Sequence, residues 1–148
     1  MSFQEKRSLV LFGGSLLLAF FYLSIVFQQL ADAPTALADS PAFWAKAILL
    51  MIPVMIGVKI LLYILSFIIQ KAVASSDTPE FQDEMDKLID LKTAQHTYTF
   101  FGLFFLAFLA ALALEWPNRT AFAILLCGMF VTDMFREVSQ FYYYRKGC

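Results

Sequence analysis

The sequence predicts an all-α integral membrane protein: a four-helix bundle with a short amphipathic cytoplasmic helix before the third span. Three observations predict it. Of 148 residues, 60% are hydrophobic, 17% aromatic and only 16% charged, with a mean hydropathy of +0.69. Soluble domains are roughly a quarter charged, so water is a poor solvent for this surface and lipid the natural one. Four runs reach the ~20 apolar residues that cross ~30 Å of hydrocarbon. Lys and Arg are concentrated on one side of those runs. The net charge of −1, with 11 Lys and Arg, excludes the dense basic field of a nucleic-acid binder.

The first span, about 8–30, has no charged residue, and its polar breaks are small or amide side chains such as Ser15, Ser24, Gln28 and Gln29. Lys6 and Arg7 before it resemble the start of a signal peptide. The stretch is about twice the usual apolar length, however, and the Ala-rich segment after it matches a cleavage site loosely, so a retained helix is expected. The second span, about 42–70, carries Pro53, Gly57 and Lys59. Its length implies tilt, and the missing Pro53 donor predicts a bend near 49–53. The third, about 96–114, is dense in Phe and Ala, and the fourth, about 120–144, is apolar until Asp133. The whole chain forms one membrane domain.

The segments 32–41 and 115–120 read as turns and fall on one side of the spans. The other side holds Lys6, Arg7, Lys71, Lys87, Lys92, Arg145 and Lys146, against Lys46 and Arg119 on the turn side. The positive-inside rule makes the richer side cytosolic, which places both termini there and the protein in the inner (plasma) membrane. Trp44 and Trp116 then lie at the outer boundary and Tyr98, Tyr142, Tyr143 and Tyr144 at the inner one, as expected for amphipathic rings. The Asn118-Arg119-Thr120 sequon sits in a tight loop and carries no weight.

From Ser75 to Lys92 the chain is polar and acidic. Asp77 or Thr78 is a suitable cap, Pro79 fits the first turn, and Glu80, Asp83 and Glu84 favour the positive end of a helix dipole. Phe81, Met85, Leu88 and Ile89 share a face opposite Asp83, Glu84, Asp86, Lys87 and Asp90. Acidic residues disfavour attachment to anionic lipid. The apolar face is therefore expected to pack on the cytoplasmic end of the bundle or to dock a partner, or the segment is a solvated connector to the third span.

The run Asp83-Glu84-Met85-Asp86-Lys87-Leu88-Ile89-Asp90-Leu91-Lys92, with the terminal Gln140-Phe-Tyr-Tyr-Tyr-Arg145-Lys-Gly147, resembles a family of small, uncharacterised prokaryotic membrane proteins. There a D-E-x-x-x-L-I-x-x-[KR] signature precedes two spans and the chain ends in tyrosines and a basic pair. The resemblance covers roughly the C-terminal half and implies a four-helix membrane protein with no established activity or cofactor. Where that family often has arginine, this chain has Gln95 and His96.

Ionisable groups at bilayer depth face partners or water. Lys59 and Asp133 lie at similar distances from the inner ends of two spans that run in the same direction, so they can pair. Asp133 and Glu137 share a face at i and i+4, Gln140 extends it, and Arg136 adjoins Asp133 at i+3. Either this cluster is structural, with Arg136 and Glu137 reaching the inner headgroups, or it moves protons, holds a substrate or gates a pore. His96 is the one histidine, a candidate pH sensor or a solvated interfacial residue. Cys127 reads as a buried thiol and Cys148 as a plain chain end with conceivable acylation. Ser15 and Ala19, and Ala107 and Ala111, fit small-xxx-small packing within the chain or in a dimer.

No CxxC, paired histidines or metal-ligand spacing is present, so no cofactor, metal or catalytic residue is expected. A non-enzymatic regulatory, sensory or accessory membrane subunit acting through membrane or cytoplasmic protein partners is the first functional expectation. The alternative is a small oligomeric transporter or channel using Asp133 and Lys59. Four spans enclose little volume, which favours a homo-oligomer, a dimer first.

Overall fold

The computed structural model describes residues 3–32, 39–73 and 84–146, and nearly all of them are helical. In chain order they form α1 (Phe3–Asp32), α2 (Pro41–Val73), α3 (Glu84–Ala113) and α4 (Asn118–Lys146). Phe81, the expected caps of the acidic segment, and Cys148 lie outside the described residues.

Long-range contacts fix an up-down-up-down order. Arg7, early in α1, meets Tyr63, late in α2, and the Tyr22 hydroxyl donates to the Ala47 carbonyl. Gln140, late in α4, meets Asp90, early in α3. Both ends of the described chain therefore lie at one end of the bundle, the terminal end. At the opposite, loop end the two turns meet, where the Asn118 amide donates to the Asp39 carbonyl at 3.0 Å.

The packing follows helical stripes. Ser8, Leu11, Ser15, Ala19 and Val26 are the buried stripe of α1, and Trp44, Ala47 and Met51 that of α2. Of these, Ala19, Val26, Trp44, Ala47 and Met51 form the larger apolar core with Leu126 and Phe130 of α4. The α3–α4 seam is aromatic: Phe100 stacks on Phe135 with centroids 4.4 Å apart, and Phe108 lies 5.2 Å from Phe122. Between those pairs Phe104 lies against Gly128, where an added Cβ would come within 2.6 Å of its ring. Of the small residues named above, Ser15, Ala19 and Ala111 are buried within the chain and Ala107 is exposed.

α4 packs most closely on α3 and then on α1, while α2 leans on α1 and touches α4 at few points. Large apolar side chains such as Phe20, Phe21, Leu61 and Leu106 remain exposed on α1, α2 and α3. The accessible surface is 9625 Å² for 16.8 kDa, above the about 7,700 Å² of a compact water-soluble chain of that mass.

Three helices, α1, α2 and α3, are long and apolar enough to cross a membrane. α4, the expected fourth span, is not among them. Asp133, Arg136 and Glu137 interrupt its apolar run, and Glu137 and Gln140 turn into the bundle. The described part of the acidic segment is also not a separate helix. Glu84–Ala113 is continuous, because no Gly or Pro breaks residues 84–101 and because Ile89 and Thr93 pack inward. Pro53 lies exposed within α2, which continues through it.

α3 ends in a Schellman arrangement. The Trp116 N–H bonds the Ala111 carbonyl and the Glu115 N–H that of Leu112, with Glu115 at φ 59° and Pro117 next. Glycine is the residue suited to that left-handed position, so Glu115→Gly should raise stability by about 1 kcal/mol. Gly128→Ala should lower it by about 1–3 kcal/mol by displacing the Phe104 ring. Thermal midpoints in detergent, with shifts of opposite sign, check both.

Candidate functional site

The buried stripes change character at one level of the bundle. On α4 the sequence of inward positions is Leu126, Phe130, Asp133, Glu137 and Gln140, and on α2 it is Met51, Met55 and Lys59. Each spacing is three or four, so the same helix faces that carry the core also carry the charges.

Lys59 is held by two carboxylates. Its Nζ lies 2.5 Å from Asp133 Oδ1 and 2.8 Å from Glu137 Oε1, with side-chain exposures of 27% for Lys59, 14% for Asp133 and 4% for Glu137. The expected Lys59–Asp133 pairing is present. Glu137, expected to stand nearer the headgroups, instead joins it as the most buried member. Asp133 Oδ2 and Glu137 Oε2 are buried without hydrogen-bond partners, a costly arrangement for carboxylate oxygens in a weakly hydrated setting.

Toward the terminal end a half-open cavity of about 220 Å³ lies beside Lys59 and Glu137. Every helix contributes a polar side chain to its wall: Arg7 from α1, Tyr63 from α2, Asp90 from α3 and Gln140 from α4. The Arg7 guanidinium donates to the Tyr63 hydroxyl at 2.6 Å and also hydrogen-bonds Tyr144. The Gln140 amide donates to Asp90 Oδ1 at 3.0 Å. Arg136 completes the wall, is exposed, and makes no hydrogen bond or ion pair among the described residues.

Arg136 and Asp133 also line a second cavity of about 250 Å³, whose walls are Met55 of α2 and Thr97, Tyr98 and Phe101 of α3. Met129 and Thr132 share the α4 floor of this lateral groove. The charged cluster thus separates a polar cavity from a largely apolar groove. A third pocket, about 490 Å³ and apolar, lies at the loop end beside Trp44, with Arg119 and the free thiol of Cys127 in its wall. It is lined from the opposite side of α4 and does not continue into the other two.

The remaining expected residues fall outside the cluster. His96 Nε2 shares a 2.8 Å hydrogen bond with the Tyr143 hydroxyl, the rings stacked 6.2 Å apart, which ties α3 to α4 on the exposed side. The expected docking face is divided. Ile89 is 2% exposed and part of the bundle, whereas Met85 and Leu88 are each 43% exposed. The described members of that face are therefore unequally covered by the bundle. Arg7, Tyr63, Asp90 and Tyr144 were not anticipated as site residues. Their signal was available, since all four map to the cytosolic ends of the predicted spans, but nothing in one sequence says which of many such residues turn inward.

No family model, curated protein or solved structure matches the chain, so the chemistry of the site is read from its own residues.

Removing one partner of a buried ion group leaves the others uncompensated at a cost of about 3–5 kcal/mol. Lys59→Met strands two carboxylates and should be the most destabilising single change. Asp133→Asn and Glu137→Gln each leave one ion pair and should cost less. The triple variant should recover much of the Lys59→Met loss. Thermal unfolding of all five proteins in one detergent measures the coupling, and additive losses would show that the three groups do not act as a unit.

Proposed function

We propose that the chain is a non-enzymatic, multi-pass protein of the inner membrane, with four helices in the bilayer and both termini on the cytosolic face. It acts as a sensory or regulatory subunit through protein partners. The observation that carries this reading is the convergence of all four helices on one half-open polar cavity at the terminal end, the end that holds the excess of Lys and Arg. A cavity reached from the cytosol can receive a ligand, and among the described residues it shares no lining side chain with the loop-end pocket. The lateral groove between α2 and α3, with Thr132, Asp133 and Arg136 on or beside its floor, is the face offered to a partner helix.

A second reading, a small oligomeric transporter, is supported by one observation. The Lys59–Asp133–Glu137 cluster stands between the polar cavity and the lateral groove, where a gate would stand if a second copy extended the groove.

Reporter fusions at the two ends should both read cytosolic. A photo-crosslinker replacing Tyr98, 77% exposed on the rim of the groove, should capture a membrane partner or a second copy of this chain in cells. Reconstituted alone, the protein should carry no flux. Opposite faces for the two ends would overturn the topology. Proton-driven flux abolished by Asp133→Asn would replace the subunit reading with the transporter.

A further inference from the structure

We propose that the terminal-end cavity binds a small zwitterion, with its oxyanion on the Arg7 and Arg136 guanidinium groups and its ammonium on Glu137 and Asp90. The inference rests on the reading of this cavity as the receiving end of the protein and names the class of ligand it receives.

Three features of the wall point to it. The first is charge balance. The cations Arg7, Lys59 and Arg136 are matched by the carboxylates Asp90, Glu137 and, directly behind, Asp133. A lone anion or a lone cation leaves net charge in a weakly hydrated site, whereas a molecule carrying both signs leaves none. The second is unused hydrogen-bonding capacity of both kinds on residues that line one cavity. Arg7 Nε is a buried donor without a partner, and Glu137 Oε2 is a buried acceptor without one on a side chain only 4% exposed. Arg136 has all its donors free among the described residues. The third is size. About 220 Å³ equals the share of about seven water molecules, room for a compact molecule of several heavy atoms.

The geometry also separates the two halves of the ligand. Arg7 is held in place by the Tyr63 and Tyr144 hydroxyls, so its guanidinium is oriented before anything binds. Asp90 is fixed by the Gln140 amide on one oxygen, which leaves the other for an N–H donor. A guanidinium offers the forked donor geometry that suits a carboxylate or phosphate, and an ammonium offers three donors to the carboxylates. Two sources supply this chemistry: a free α-amino acid, or the phosphoethanolamine headgroup of a bilayer lipid, since the cavity opens at the end of the bundle where headgroups lie.

The test uses the full chain in lipid nanodiscs made of phosphatidylcholine, whose quaternary ammonium has no N–H to donate, with and without phosphatidylethanolamine. L-alanine is titrated by calorimetry against acetate and ethylammonium, each of which carries one half of the pattern. L-alanine should bind saturably in phosphatidylcholine discs, and acetate and ethylammonium at least about ten-fold more weakly. Arg136→Gln and Glu137→Gln should each weaken L-alanine about ten-fold or more while helix content by circular dichroism stays unchanged. Arg136 has no partner to lose, so that variant does not depend on the bundle tolerating a broken ion group. If the headgroup is the source, phosphatidylethanolamine should raise the thermal midpoint of the parent chain, and of neither variant, and should block L-alanine. The proposal is overturned if acetate or ethylammonium matches L-alanine, if the variants bind as the parent does, or if L-alanine and phosphatidylethanolamine are both without effect. Any of those results leaves the topology and crosslinking readouts untouched, so the subunit reading would stand or fall separately.

Discussion

One ammonium shared by two carboxylates on successive turns of α4 sets how the second helix sits in the bundle. Toward the loop end α2 is tied down through Trp44, Ala47 and Met51. Beyond Met55 its apolar surface is largely exposed, and the Lys59 contacts with Asp133 and Glu137 are what hold it to α4. In a low-dielectric setting such a group is specific because every alternative leaves a charge unpaired, and a one-turn slip of α2 would move Nζ by about 5 Å. The polar cavity and the lateral groove both take their shape from that register, because Lys59 walls one and its partner Asp133 walls the other.

The distribution of apolar surface inverts the order of a water-soluble bundle. The helix with the most charged residues, α4, is the most enclosed, and one of the most apolar, α2, is among the least. In water that arrangement would expose α2 and bury α4 at a cost on both counts. In lipid both terms change sign or shrink: the apolar sides of α1, α2 and α3 face a matching solvent, and the charges of α4 are screened by protein. The aromatic seam of Phe100, Phe104 and Phe108 against Phe135, Gly128 and Phe122 then does the packing that hydrophobic exclusion cannot do between helices surrounded by hydrocarbon.

Much of this was legible in the residues. The helical runs and their order follow from composition and turn chemistry, and Lys59 opposite Asp133 follows from counting along parallel helices. Glu137 was placed on the correct face, but its contact with Lys59 was not foreseen, because snorkelling and pairing compete and only the position of Lys59 decides between them. The expected docking face raises a related point. Periodicity puts Met85, Leu88 and Ile89 on one side of a helix, but which of them is covered depends on the direction from which the neighbouring helices approach. Gly128 carried no special signal, since its role depends on which phenylalanine of α3 arrives opposite it. Arg7, Tyr63 and Asp90 in the polar wall, with Tyr144 beside Arg7, join residues from all four helices across the length of the chain, and no local pattern encodes such a meeting.

The shared lysine also links the two cavities physically. Glu137 faces the polar cavity and Asp133 the groove, and both hold the same Nζ. In the proposed reading an ammonium arriving at Glu137 competes with Lys59 for that carboxylate, which shifts the lysine toward Asp133 and changes the electrostatics of the groove floor beside Arg136. A displacement of one side chain is enough to carry the effect, with no hinge or helix rotation required. It runs in both directions, because a partner that engages Asp133 must push Lys59 toward Glu137 and weaken the site for an ammonium. In that reading, occupancy of the cavity and occupancy of the groove are coupled through one charged atom, and a shift of Lys59 between two carboxylates already in contact with it is the only movement the coupling needs.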